Sequence, residues 1–230
     1  MRRTLTVLGR EAQAVARQGQ LIFLGRGARR VRAPEGGRVV AFVHGYGAAG
    51  PVFAPLRRRV EHVLGLPTVD FTYRSTWSFD RVADELASSL ERLTRRGCEL
   101  DLVGHSLGGL VSRWWVQEME GAPHVRRLVT LATPHAGTRS ARVAPGPLGA
   151  ALLPGSAVVR RLAAGRARAD GIRHTALVAA ADLMVTPPAS AAALPDADVR
   201  WFEDVGHNAM LYARDVHDAV IEALGAPPSV

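Results

Sequence analysis

From Arg38 onward, short apolar runs alternate with longer amphipathic stretches. Val39-Val40-Ala41-Phe42-Val43 is apolar at every position, the pattern of a strand covered on both faces. Further strands are predicted over Thr68–Tyr73, Asp101–Val103, Arg127–Leu131, His174–Ala181 and Val199–Phe202. Helices are predicted between them. One spans Pro51–Gly65, with proline near its first turn and glycine after its end. A second spans Phe79–Arg96, capped by Ser78 and stopped by Gly97. A third starts at about Ser106, and a last one covers Ala209–Leu224. Parallel strands need crossover connections, so this alternation predicts an α/β fold with a mostly parallel central sheet of about six strands flanked by helices.

Two segments break the rhythm. Before Arg38, Leu5, Leu8, Ala12, Val15 and Ala16 recur at helical spacing, followed by Leu21-Ile22-Phe23-Leu24 and an arginine-rich, glycine-punctuated stretch. Residues 1–37 are therefore read as an N-terminal helical arm, and 38–230 as the main domain. Within it, 134–171 is rich in Gly, Pro, Ala and Arg, with a weak helical stretch over Ser156–Ala164. It is read as a short cap-like insertion. Its Leu148, Leu152, Leu153 and Val158 either line an apolar pocket or pack on the sheet; the sequence weighs these equally.

Composition narrows the function classes. With 230 residues, 47% hydrophobic and 22% charged, the chain is ordinary globular sequence. The absence of an 18-residue apolar run argues against a membrane-spanning helix. The single cysteine, Cys98, excludes an intramolecular disulfide and a cysteine-based zinc cage. A net charge of +8 invites a nucleic-acid reading, but all 29 basic residues are arginine and are spread along the chain. Aromatics for base stacking make up only 6%, so no nucleic-acid partner is expected. The dense run of Arg26, Arg29, Arg30, Arg32 and Arg38 reads as a solvated linker, with contact to anionic lipid as the sharper alternative. For the arm as a whole, packing on the domain is preferred over peripheral membrane contact. The opening Arg2-Arg3 is basic, but the apolar run Leu5–Leu8 is broken by Thr6 and closed by Gly9, Arg10 and Glu11. That is no convincing signal peptide, and a cytoplasmic location, with membrane association as the other reading, is expected.

The strongest chemical signal is Gly104-His105-Ser106-Leu107-Gly108-Gly109, which contains Gly-x-Ser-x-Gly between a predicted strand and a predicted helix. A sharp strand-to-helix turn would raise the Ser106 hydroxyl above the strand ends, at a helix N-terminus that favours developing negative charge. Gly104 and Gly108 would leave room for the strand and helix to approach closely. The loop His44-Gly45-Tyr46-Gly47 follows the first strand, which places it at the same sheet edge. An oxyanion needs two donors, and the natural pair is the backbone N–H of Tyr46 with that of Leu107. His44 itself is read as a structural residue of the loop.

A nucleophilic serine needs a neutral imidazole beside it and a carboxylate behind the ring. Among eight histidines, His62 and His217 read as helix-surface residues, and His105 is expected to point away from the cleft. His124 sits in a turn, His135 follows a strand and is a candidate to line the cleft, and His174 begins a strand. His207, in Val205-Gly206-His207-Asn208, follows the last strand and comes after the serine in chain order, as a base should in this arrangement. For the acid, Asp182 follows the apolar strand Ala176–Ala181 and is preferred, with Asp204 as the runner-up.

Five blocks together resemble the α/β-hydrolase superfamily, and within it the bacterial triacylglycerol lipases and esterases. They are Phe42–Gly47, Val103–Gly109, Thr130-Leu131-Ala132-Thr133-Pro134-His135-Ala136-Gly137-Thr138, Ala181–Val185 and Val205–Asn208. The resemblance spans roughly Arg38 to Leu224. It implies Ser106, Asp182 and His207 as a catalytic triad, with Tyr46 and Leu107 as oxyanion donors. Many secreted lipases of this kind carry calcium or zinc sites, but this sequence has no clear metal cluster, and no cofactor or metal is expected. The expected activity is hydrolysis of small-molecule or lipid carboxylic esters with apolar acyl groups. Thioester or amide cleavage and acyl transfer use the same triad and stand as alternatives. A hydrolase-like module that only binds is a further one.

Overall fold

A computed structural model describes residues 2–25 and 35–226, with side chains from Thr4 onward. The arginines at 26, 29, 30 and 32 lie outside the described residues. The first helix, α1 (Arg2–Leu24), is one 23-residue element, so Leu21–Leu24 continues the helix rather than following it.

Six strands make one sheet: β1 (Gly37–Val43), β2 (Thr68–Phe71), β3 (Cys98–His105), β4 (Val125–Leu131), β5 (Arg173–Ala179) and β6 (Asp198–Phe202). Their order is β2-β1-β3-β4-β5-β6, and every neighbouring pair is parallel. Predicted and observed strands agree in number and place. The largest difference is at β3, predicted only from Asp101 because the exposed Glu99 interrupts the apolar pattern before it, whereas pairing with β1 begins at Cys98.

The helices α2 (Ala54–Leu64), α3 (Phe79–Thr94), α4 (Leu107–Glu118), α5 (Gly146–Ala151), α6 (Ala157–Ala164) and α7 (Arg214–Gly225) cover both faces. On one face, α3, α4, α5 and α6 bury Leu86, Leu90, Leu110, Leu148 and Leu162 against Leu100 and Leu102. On the other, α1, α2 and α7 meet Val40, Phe42, Val103 and Leu177 through Ala14, Leu56, Val60 and Val220. This two-sided covering is why β1 is apolar at successive positions. Local signals set the ends: Ser78 Oγ accepts the Arg81 N–H at 3.3 Å, and Gly65 closes α2 with φ of 65°. The predicted helices at 51 and 209 each begin instead with a short 3-10 turn, Gly50–Phe53 and Ala209–Leu211.

The insertion contributes to the core. Leu148 is fully buried, and Leu152 and Val158 are buried against the α3–α4 side, so these three are packing residues; only Leu153 stays half-buried. His217, expected on the surface, is also buried, and its Nε2 donates to the Leu211 carbonyl at 2.8 Å. It lies on the inner face of α7, a distinction that the sequence spacing left unresolved.

At the amino edge of the sheet, Asp101 is fully buried and bonds the Arg38 guanidinium at 2.5 Å, with Arg127 Nη1 3.7 Å away. Arg38 and Arg127 also donate to the carbonyls of Leu224 and Ala226. This cluster ties the end of α7 to β1, β3 and β4, on the side of the sheet away from Ser106. Removing one member would leave the others buried and uncompensated. Asp101→Ala is therefore expected to cost about 3–5 kcal/mol, read from the midpoint of urea unfolding.

Candidate active site

The strand order reverses between β1 and β3, because the chain leaves β1 for β2 on one side and builds β3 to β6 on the other. In open parallel sheets the crevice outside such a reversal is where ligands bind. The His44–Gly47 loop leaves β1 there, and Ser106 leaves β3 beside it.

Ser106 joins β3 to α4 with φ of 54° and ψ of −124°, a conformation that L residues avoid. Two features hold it. The Ser106 N–H donates to the Leu131 carbonyl at 2.9 Å, and the Gly109 N–H donates to the Ser106 carbonyl at 3.1 Å. The flanking glycines admit no side chain: a Cβ on Gly104 would lie 2.5 Å from the Gly109 Cα, and one on Gly108 would collide with the Val43 and His44 carbonyls. The expected close approach of strand and helix is thus present in detail. Leu107 opens α4, so its N–H has no acceptor within the helix.

The loop after β1 crosses directly over this turn. A Cβ on Gly45 would come within 2.9 Å of the Ser106 Cβ. Tyr46 donates its hydroxyl proton to the Pro145 carbonyl at 2.7 Å, and the Gly47 N–H bonds Ser75 Oγ at 2.8 Å. His44 is fully buried and stacks on Tyr73 with ring centres 4.0 Å apart. Its Nε2 accepts the Tyr73 N–H at 3.2 Å, so Nδ1 carries the proton and donates to the Gly45 carbonyl at 2.7 Å. Burial lowers its pKa to about 4. It is a neutral brace for the loop.

Asp182 lies just beyond β5 and His207 just beyond β6, both at the carboxyl edge and both buried. His207 Nδ1–H donates to Asp182 Oδ2 at 2.8 Å. The other carboxylate oxygen, Oδ1, accepts the Met184 and Val185 N–H groups at 2.7 Å each. That fixes the tautomer: the proton sits on Nδ1, and Nε2 keeps a free lone pair. The carboxylate on the imidazole is Asp182 rather than the runner-up Asp204. The structure contains no hydrogen bond between Ser106 Oγ and His207; unliganded sites commonly hold this pair loosely.

Three features of the site's surroundings escaped the sequence. His105 does not simply point away: it is buried, its ring centre is 4.7 Å from that of His207, and its Nε2–H donates to the His207 carbonyl at 3.1 Å. Burial and the neighbouring His207 lower its pKa well below the usual histidine value. His135 does not line the cleft; both ring nitrogens bond internal partners, Arg113 and Thr130. Third, α1 reaches the histidine loop. Glu11 Oε1 accepts from the Asn208 backbone and side-chain N–H groups at 2.8 and 2.6 Å, Oε2 accepts from the Ala209 N–H at 3.1 Å, and Gln18 donates to Asn208 Oδ1 at 2.8 Å. A side chain at Gly206 would strike Glu11. The helical spacing of α1 gave no hint of this pairing, because nothing local in the sequence links Glu11 to a loop nearly two hundred positions away.

Among the described residues, no group of three or more His, Cys, Asp or Glu side chains is placed to hold a metal ion, and no helix is long and apolar enough to cross a membrane.

The family described as Domain of unknown function (DUF7379) matches residues 20–145, more than half of the chain. The chain belongs to the DUF7379 family. No curated protein sequence matches it. Among solved structures, it is similar to Aspergillus fumigatus lipase B, with a TM-score of 0.69 at 15% identity over 88% of this chain and 56% of that one. It is similar to the product of gene lin2722 from Listeria innocua, with a TM-score of 0.66 at 15% identity over 83% and 94% of the two chains. It is also similar to Paleococcus ferrophilus monoacylglycerol lipase, with a TM-score of 0.61 at 18% identity over 80% and 92%. This DUF7379 chain therefore has the α/β-hydrolase fold, as its sequence blocks implied.

Two outcomes follow from the site's construction. The Glu11 carboxylate is half-buried and accepts three hydrogen bonds, so Glu11→Ala is expected to lower stability by about 1–3 kcal/mol in urea unfolding. The second concerns acid. Burial lowers the pKa of His44 to about 4 and of His174 to about 3, and lowers those of His105 and His135. Unfolded histidine titrates near 6.5, so below that pH the unfolded chain takes up protons that the fold excludes. Stability is expected to be full above about pH 7 and to fall as pH drops from about 6.5 toward 4, by up to about 1.4 kcal/mol per pH unit per histidine. Urea midpoints at pH 7, 6 and 5 would check this.

Proposed function

We propose that this protein is a serine hydrolase of carboxylic esters. The observation that carries the reading is the strained Ser106 turn standing at the same sheet edge as the buried His207–Asp182 pair. Ser106 Oγ attacks the ester carbonyl while His207 Nε2 takes its proton. Negative charge gathers on the former carbonyl oxygen, toward the N–H groups of Tyr46 and Leu107, and the positive end of α4 adds to their field. The imidazolium then protonates the leaving alcohol, and an acyl-enzyme remains. Water, deprotonated by His207, releases the acid and restores the serine. Asp182 holds the tautomer and stabilises the imidazolium. No cofactor enters these steps.

An apolar, lipid-like ester is the preferred substrate. Exposed Leu183 and Met184 stand next to Asp182, and Leu8 of α1 shares with Leu183 a cavity of about 290 Å³ behind the acid. These side chains give the rim beside the acid loop an apolar character that suits an acyl chain or a lipid surface. The names of two structural neighbours, a lipase and a monoacylglycerol lipase, point the same way.

Ser106→Ala is expected to lower turnover of a chromogenic short-chain ester by at least about 1000-fold with the fold intact by circular dichroism, and to abolish labelling by a fluorophosphonate. Asp182→Asn is expected to cost about 10⁴-fold in kcat through the wrong tautomer. Undiminished turnover in Ser106→Ala would defeat the assignment. An ester, thioester and amide panel graded by acyl length would separate the reactions that share this triad.

A further inference from the structure

A second, larger cavity of about 590 Å³ opens beside α4, between the start of β5 and the segment leading into β6. It does not include Ser106, His207 or Asp182. Arg113, Gln117 and His174 contribute polar groups, Arg166, Arg173, Asp170, Asp196 and Asp198 add charged ones, and Val116, Leu128 and Leu194 form its buried apolar wall.

Arg113 is the unusual member. It projects from the covered face of α4 and is 3% exposed. Among the described residues, no carboxylate lies within ion-pairing distance of it. Its hydrogen bonds go to neutral acceptors: Nη1 donates to His135 Nδ1 at 3.2 Å, and Nη2 donates to the Leu162 carbonyl at 3.0 Å. A guanidinium has five N–H groups, so three are left after these two. Three of the nearby acids are committed elsewhere. Glu118 holds Arg161 and Arg168 at 2.6 Å each, Asp196 holds Arg166 at 2.9 Å, Asp198 holds Arg200 at 2.8 Å, and Asp170 stands exposed on the rim. A cation buried without a counter-charge is costly, and the cavity gives an anion a way to reach it.

The adjoining hydrogen bonds have a direction. Since His135 Nδ1 accepts from Arg113, its Nε2–H donates to Thr130 Oγ1 at 3.1 Å. Thr130 Oγ1 in turn lies 3.4 Å from His174 Nε2 and 3.5 Å from the Thr175 carbonyl, the two acceptors within reach of its one hydroxyl proton. The charge of Arg113, with burial, helps keep both rings neutral. The cavity therefore holds a buried guanidinium with no carboxylate in ion-pairing distance, N–H donors left unfilled, and an apolar wall.

We propose that this cavity binds a small aliphatic carboxylate, its anionic head on the Arg113 guanidinium and its chain against Val116, Leu128 and Leu194. A carboxylate supplies the missing counter-charge and matches the planar guanidinium fork. The apolar wall distinguishes it from an inorganic anion. The proposal does not depend on the hydrolase reading, since none of its residues takes part in that chemistry.

The test is calorimetric titration of the full chain with sodium hexanoate, hexanol and inorganic phosphate. Saturable hexanoate binding is expected, at least tenfold tighter than that of hexanol or phosphate, with a matching rise in Tm. Arg113→Gln is expected to weaken it at least tenfold, and Ser106→Ala to leave it unchanged. Should Arg113→Gln fail to fold, Ala169→Trp, which adds bulk at another residue of the lining, is expected to weaken binding to the same extent. Hexanoate binding that survives these cavity variants would place the ligand elsewhere and overturn the proposal. Phosphate binding as tight as hexanoate would overturn the carboxylate assignment, and no saturable binding would overturn the site.

Discussion

The structure turns on one steric constraint: β3 must pass into α4 so tightly that no side chain fits between them. Gly104 and Gly108 meet it, and Ser106 between them accepts a backbone conformation of a kind that costs about 1–3 kcal/mol. The same closeness lets α4 rest on the Val43 and His44 carbonyls, so the end of β1 and the start of α4 are one packed unit. Elsewhere a residue could relax out of such a turn. Here the Leu131 carbonyl on one side and the helix on the other hold it. The cost is met by the two cores flanking the sheet, which is why a strained serine belongs on a fold with helices on both faces.

A second regularity follows from burial. His44, His105, His135 and His174 all have lowered pKa values, and desolvation is the first cause for each. Each is used as a neutral hydrogen-bonding group: His44 braces the loop over Ser106, His105 holds the backbone of His207, and His135 bridges Arg113 to Thr130. His207 is the exception in its surroundings. It alone of these rings has a carboxylate on one nitrogen, and Asp182 is kept from turning away by two backbone N–H groups. Four buried histidines are thus held neutral, and His207 is the ring among these five that a carboxylate holds.

How much of this was legible in the sequence depends on the range of the interaction. Strands such as Val39–Val43 were plain because burial on both faces leaves no polar position. The Ser106 turn was plain because its glycines are local and their spacing is itself the steric requirement. Asp182 and His207 were reachable because each follows a strand, and in a parallel sheet that places both on one edge. His217 was misread because its helix carries polar residues on either side, and only the packing of α7 shows which way the ring faces. Leu148, Leu152 and Val158 could have lined a pocket or filled a core, and composition does not distinguish the two. The Arg113 environment was invisible for a related reason: a missing counter-ion is a property of every neighbour at once, and no single stretch of sequence contains it.

The arm shows what that limit means for the site. By its helical spacing alone, α1 could have lain on the domain or on a membrane. Its exposed Leu5, Leu8 and Phe23 remain compatible with an apolar surface nearby. Yet its one acidic side chain, Glu11, is spent on three N–H groups at Asn208 and Ala209, directly after His207. Those donors open a short 3-10 turn, where a carboxylate is best placed to cap unpaired N–H groups. The histidine loop is therefore held from two directions, by Asp182 through the ring and by α1 through the following backbone. If α1 moved onto another surface, the second of these restraints would be released while the first remained. Any partner that draws the arm away would in this way act on the loop that carries His207, without touching the ring itself.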